Sequence, residues 1–244
     1  SAMNYFASLS YDVWCVDMEG YGRSSKHRDI TCDIANGVDD LATATDYIQK
    51  FRGCTDIYLY GISSGALRAA AFTEKYPDRV GRLALDAFVW TGKNSPTLVE
   101  RRKKLPEFLK TKRRPIDHAF VQSIFNRDHA DCVDPRVVEA FAKAICELDN
   151  SMPNGTYIDM CSHLPLVDPK KILVPTIILR GQYDGIASVS DLLEFFENLP
   201  NQDKQFTVME GISHASFQQK NYEMVYDILE GFWDRARPVY RLPL

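Results

Sequence analysis

Three residues far apart in the chain have the types and settings needed for nucleophilic chemistry. Ser63 lies in Gly61-Ile62-Ser63-Ser64-Gly65, Asp184 closes Gly181-Gln182-Tyr183-Asp184, and His214 closes Gly211-Ile212-Ser213-His214. A serine hydroxyl attacks an acyl carbon only when a base removes its proton, and an imidazole held by a carboxylate is the usual base. Each of the three follows an apolar run rich in β-formers, so each falls where a strand should end. In parallel sheets, reactive groups collect at those ends.

The elements around Ser63 carry the strongest signal. The run 56–60 ends at Gly61, and 66–72 is alanine-rich with high helix propensity, so Ser63 sits on a strand-to-helix turn. A turn this tight crowds the backbone, and a Cβ at either Gly61 or Gly65 is expected to clash with neighbouring chain. The turn lifts the hydroxyl to the C-terminal edge of a sheet and aims a helix N-terminus at what it attacks.

The remaining chain alternates in the same way. A β-rich run, 11–17, leads into the polar loop 18–25. Apolar residues at helical spacing (Ile34, Val38, Leu41, Thr45, Ile48) predict a helix over 33–51, with Asp33 as N-cap and Gly53 as stop. The helix that follows Ser63 should reach about Tyr76, broken by Pro77, and a strand should follow over 80–88. From about 90 to 172 the strand rhythm stops, and 98–110, 115–126 and 135–148 read as helices. Strands return over 174–181 and 205–209, with a helix over 189–199 between them and a last amphipathic helix over about 217–235. This alternation predicts a doubly wound, mainly parallel α/β sheet with an inserted helical subdomain.

Composition narrows the function classes. The chain has 244 residues, 45% of them hydrophobic and 25% charged, with net charge -4. That is enough to bury a sizeable core, and the charge argues against nucleic acid as the main partner. No apolar run reaches the roughly 18 residues of a membrane span, and no secretory signal pattern opens the chain, so a cytoplasmic location is expected. Ser1-Ala2 ahead of Met3 reads as the remnant of an expression tag. Six scattered cysteines without a Cys-x-x-Cys pair, and no clustered histidines, point to reduced thiols and to no metal or organic cofactor. Cys15 reads as a small buried residue, and the sequon Asn154-Gly155-Thr156 means little without a signal sequence. The basic runs 101–104 and 110–114 read as the solvated face of helices whose other side carries Leu98, Leu105, Phe108 and Leu109.

The order Ser63, Asp184, His214, together with these motifs, resembles the α/β-hydrolase family in its serine branch with a helical cap. The run 11–17 with Gly20-x-Gly22-x-Ser24 looks like that fold's fourth strand and following loop. Gly61-x-Ser63-x-Gly65 matches the elbow, 74–80 the junction after it, Gly181-x-x-Asp184 the acid turn and Gly211-x-x-His214 the histidine loop. The resemblance implies a hydrolase core over 1–89 and 173–244 and a cap over 90–172. It implies that His214 is general base to Ser63, that Asp184 holds the His214 tautomer, and that the Ser64 N–H is an oxyanion donor. Asp86 is a minor rival acid, because some relatives place the acid there. His27, His118, His129 and His163 read as surface or lid residues. The cap is expected to line an apolar acyl pocket, with Phe88, Trp90, Phe120, Phe125 and Tyr157 as candidates.

One segment of the family pattern is not present. The family's first three strands precede the chain's start, and the loop after the third normally supplies a second oxyanion donor. Losing one such donor lowers turnover by about a hundredfold to a thousandfold. The expectation is an incomplete N-terminus, with a homodimer through the open sheet as one consequence. The implied activity is hydrolysis of a carboxylic ester, thioester or similar small-molecule acyl substrate through an acyl-enzyme. Carbon–carbon bond hydrolysis with the same triad, or a non-catalytic binding protein of this fold, are the alternatives.

Overall fold

Four apolar runs pair into one sheet, and the helices between them cover both of its faces. The computed structural model describes residues 1–236. In chain order its elements are α1 (Ala2–Ser8), α2 (Ile34–Arg52), β1 (Ile57–Ile62), α3 (Ser64–Lys75), β2 (Val80–Asp86), α4 (Pro96–Lys103), α5 (Leu105–Lys110) and β3 (Arg113–Pro115). Then come α6 (His118–Asn126), α7 (Pro135–Leu148), β4 (Ser151–Pro153), α8 (Gly155–Ser162), β5 (Thr176–Gly181), α9 (Val189–Asn198), β6 (Lys204–Met209) and α10 (Tyr222–Trp233). The main sheet has the order β1-β2-β5-β6, and all three pairings are parallel.

Successive strand residues point to opposite faces, and here both faces are buried. Leu83, Leu85 and Ile178 pack with Val38 of α2, Leu67 of α3 and Phe195 of α9. Ala84, Ile177 and Leu179 pack with Phe6 of α1 and Val225 and Leu229 of α10. Helix ends follow local chemistry. Asp33 caps α2 through a reciprocal box with Asn36, and Gly53 ends it in a left-handed conformation at φ 67°.

Residues 11–17 differ from expectation, because they form no ladder among the described residues. A strand needs a neighbour for its N–H and C=O groups, and β1 is paired on one side only, with β2. Side chains hold the segment instead. Tyr11 packs against Phe6 and Trp233, Asp12 pairs with Arg52, and Trp14 meets Tyr47 and Phe51 edge-on. Cys15 is exposed there, not buried.

The insertion is also more broken than its sequence pattern. The predicted helix over 98–110 divides at Lys104 into α4 and α5, with Pro106 in the first turn of the second. The helix expected from 115 starts at His118, capped by Asp117. Helix α8 and the two-stranded pair β3–β4 were not signalled by periodicity, since eight and three residues are too few to show one. Leu98 and Phe108 are buried as expected, whereas Leu109 is 62% exposed. Part of the insertion joins the main core through Leu98, Met160 and Val167, and part builds its own cluster around Val121, Phe125 and Val138. Asn154 of the sequon is fully buried and donates to the Phe108 and Thr111 carbonyls.

Candidate active site

The elbow is held by backbone. Ser63 lies between β1 and α3 at φ 57°, ψ -123°, a positive-φ conformation that a residue with a side chain rarely adopts. Its N–H donates to the Asp86 carbonyl at 2.9 Å, so the neighbouring strand end fixes the turn. Gly61 is required by space. A Cβ there would come within 2.4 Å of the Gly65 carbonyl oxygen. Gly65 is not, because a Cβ on it would meet nothing within 4 Å, which corrects the expectation of a clash at both glycines.

The register of β5 and β6 brings the other two groups to the same edge. Gly181 is paired with Met209, and Asp184 and His214 follow on the two loops beyond. Those loops touch closely: the Tyr183 N–H donates to the Ile212 carbonyl at 3.0 Å. Three chain segments thereby converge. His214 Nε2 lies 2.8 Å from Ser63 Oγ, and His214 Nδ1 lies 3.0 Å from Asp184 Oδ1. Asp184 Oδ1 also accepts the Ile186 N–H at 2.9 Å, while its Oδ2 is buried without a partner. Ser64 opens α3, so its N–H has no carbonyl to bond within the helix.

Two buried carboxyl groups stand at adjacent strand ends and titrate in opposite directions. Burial pushes Asp184 up, but the His214 ring, the Ile186 N–H and the more distant Arg127 outweigh it and hold the group below the usual carboxylate range. Asp86 has no such compensation. It accepts hydrogen bonds from Tyr60 Oη at 2.6 Å and Ser216 Oγ at 2.9 Å. Burial, aided by the charge of Asp184, pushes it up to about 7 against those bonds. Asp86 therefore faces hydroxyls and not His214, which separates it from the three-residue cluster.

The other histidines lie elsewhere. His163 pairs with Asp159, His118 with Glu139, and His129 stacks on Tyr183 at 3.9 Å between ring centres. Among the expected lining residues, Phe88 and Phe125 are core: each is at most 1% exposed and packs on Phe195 and Phe141 respectively. Trp90 packs on Phe195 and donates to the Val167 carbonyl. Phe120 and Tyr157 face arginines, a setting that their apolar character did not announce. A groove of about 830 Å3 between α1, α10 and the start of α7 holds Tyr5, Phe217 and Tyr226 and none of the three converging groups. No group of three or more metal-ligating side chains occurs among the described residues. No helix among them is long and apolar enough to cross a membrane.

A serine on a strained strand-to-helix turn, in contact with a histidine that meets a buried carboxylate, in the chain order Ser63, Asp184, His214, has a counterpart in a known sequence family. The profile described as serine aminopeptidase, S33, matches residues 1–221. The chain belongs to this S33 family of α/β-hydrolases. Solved structures agree on the fold. An esterase from Exiguobacterium antarcticum superposes with a TM-score of 0.70 at 16% identity, covering 96% of this chain and 85% of that one. A monoacylglycerol lipase from Paleococcus ferrophilus gives 0.67 at 16% identity, covering 95% and 86%. The thioesterase domain from the curacin biosynthetic pathway gives 0.60 at 15% identity, covering 87% and 78%. Comparison with curated protein sequences returned no match. This S33 member is thus an α/β-hydrolase enzyme by family and by fold.

Proposed function

We propose that the S33 member is a serine hydrolase that cleaves a carboxylic ester, thioester or comparable acyl bond through an acyl-enzyme. The observation that carries the reading is the relay of 2.8 Å and 3.0 Å from Ser63 through His214 to Asp184. Ser63 Oγ attacks the acyl carbon while His214 Nε2 takes its proton. The carbonyl oxygen becomes an oxyanion facing the Ser64 N–H at the helix N-terminus. Collapse expels the alcohol or thiol, which receives the proton from His214. Water then repeats the sequence in reverse roles and frees Ser63 and the acid. Asp184, held ionised, keeps Nδ1 protonated and stabilises the imidazolium. The helices of 90–172 serve as the cap over this edge.

The test is intact-mass spectrometry after treatment with a fluorophosphonate, beside Ser63→Ala. A single adduct on the unmutated protein and none on the variant is expected. An unlabelled protein, or a label that survives Ser63→Ala, would overturn the assignment. Ester turnover that disappears in Ser63→Ala separates the enzyme from a binding protein of the same fold.

A further inference from the structure

The insertion meets the sheet half across arginines that the proposed chemistry does not use. Arg68 of α3 is only 6% exposed, and its buried Nε has no hydrogen-bond partner. Its stem crosses α2 at Gly37, where a Cβ would come within 2.4 Å of Arg68 Cδ. Its guanidinium lies 5.3 Å from the Tyr21 ring centre. Beyond Tyr21, Arg101 of α4 and Arg114 of β3 both stack over the Tyr157 ring, at 3.9 Å and 3.7 Å. Arg101 reaches only Met160 Sδ, at 3.4 Å. Arg114 donates to the Pro153 carbonyl, Asn154 Oδ1 and Met152 Sδ, and its buried Nε is unpartnered.

Among the described residues no carboxylate is in salt-bridge contact with Arg68, Arg101 or Arg114. The groups acting on Arg101 are Tyr157, Arg127, Cys161 and Arg114, and those acting on Arg114 are Tyr157 and Tyr21. Acids elsewhere in the neighbourhood are engaged: Glu19 by Arg28, Asp149 by Lys26, Asp128 by Arg127, Asp40 by the Glu19 N–H, and Asp159 by the Ile34 N–H and His163. Burial would push the Tyr157 phenol up, yet Arg101, Arg114 and Arg127 hold it below its ordinary value, so the local field favours negative charge. Burying guanidinium groups without counter-charges is strongly unfavourable for folding alone.

We propose that Arg68, Arg101 and Arg114, with Tyr21 and Tyr157 between them, form a subsite for a carboxylate carried by the substrate. The planar guanidinium fork matches a carboxylate in two parallel hydrogen bonds, and the aromatic rings shield that pair from water. Arg68 stands four residues beyond Ser64 on α3, about 6 Å along the axis, which suits a short diacid better than a fatty chain. The subsite depends on the serine-hydrolase reading for its substrate, whereas its affinity for the anion does not need Ser63.

The test is calorimetric titration of glutarate and of dimethyl glutarate into the whole chain and its Ser63→Ala, Arg68→Met, Arg101→Met and Arg114→Met variants. Saturable glutarate binding is expected in the unmutated and Ser63→Ala proteins, with none for the diester. Each arginine variant should bind glutarate about tenfold or more weakly. Arg68→Met should also melt higher than its parent, which checks that the lost affinity is not lost folding. Absent glutarate binding, equal binding of the neutral diester, or unchanged binding in all three arginine variants would overturn the subsite. Saturation by inorganic phosphate in place of glutarate would overturn its carboxylate assignment. Fluorophosphonate labelling separates the two readings. Label without glutarate binding removes the subsite and leaves the hydrolase, and glutarate binding without label does the reverse.

Discussion

Ser63, Asp184 and His214 sit just beyond the ends of β1, β5 and β6, whereas Arg101, Arg114 and Tyr157 come from α4, β3 and α8 of the insertion. The first set is placed by ladder hydrogen bonds that tie one strand end to the next, as in the pairing of Ile62 with Asp86 and of Gly181 with Met209. The second set rests on elements of three to eight residues held by side chains. Asn154 spans to Phe108 and Thr111, and Arg113 spans to the Gly20 carbonyl and Ser151. Charge follows the same division. In the sheet half, buried Asp203 is answered by Arg82 at 3.2 Å and Arg235 at 2.7 Å. At the seam with the insertion, buried Arg68 and half-buried Arg101 and Arg114 have no acid in salt-bridge contact among the described residues. A sheet edge fixed by ladder hydrogen bonds suits a reaction centre, and a seam of arginines without acids suits a ligand.

The largest effect should come from the sheet half. His214→Ala should lower ester turnover by on the order of a million-fold, and Asp184→Asn by about ten-thousandfold, with the fold retained by circular dichroism. An ordinary rate in either variant would move the reaction centre elsewhere. Next, Asp203→Ala leaves Arg82 charged and buried, and should cost about 3–5 kcal/mol in urea denaturation. A loss under about 1 kcal/mol would show that the sheet half does not depend on its compensated charges.

The two strand-end carboxyls give a pH signature. The folded state holds the Asp86 proton more tightly than the unfolded chain does, since the group is pushed up to about 7. Its contribution is therefore complete below the ordinary carboxylate value near 4 and is lost as pH rises through about 7, by at most on the order of 4 kcal/mol. Asp184 acts in the opposite sense, and its contribution is lost as pH falls through its lowered value. Melting temperatures at pH 5 and pH 8 should converge in Asp86→Asn, and an unchanged difference would remove Asp86 as the cause. The smallest effect sharpens the elbow. Gly61→Ala should cost about 1–3 kcal/mol through backbone overlap, while Gly65→Ala should be neutral or stabilising by up to about 1 kcal/mol. Equal costs at both positions would mean that the turn is crowded on both sides.

Legibility in the sequence tracked the length of each signal. Helix α2 was readable from its cap, its five apolar positions and Gly53, because all of these are local. Strand runs β2 and β5 were readable because burial on both faces favours apolar stretches, and the edge strands β1 and β6 because their aromatic and β-branched residues suit a half-buried strand. Residues 11–17 carry the same composition but no ladder, because pairing belongs to two strands and not to one. Arg101 and Arg114 read as part of a solvated basic face, since nothing in a run of lysines and arginines announces which member turns inward onto Tyr157. Phe88 and Phe125 read as pocket lining for the same reason.

By itself the sequence determined the order of elements and the placement of Ser63, Asp184 and His214 at strand ends, because β-propensity, caps and turn glycines act within a few residues. Only the tertiary structure decided which carboxyl meets the histidine and which arginines lose their solvent. Both depend on distances across chain separations of 30 residues or more, from Asp184 to His214 and from Arg68 to Arg101, and burial is a property of the packed whole.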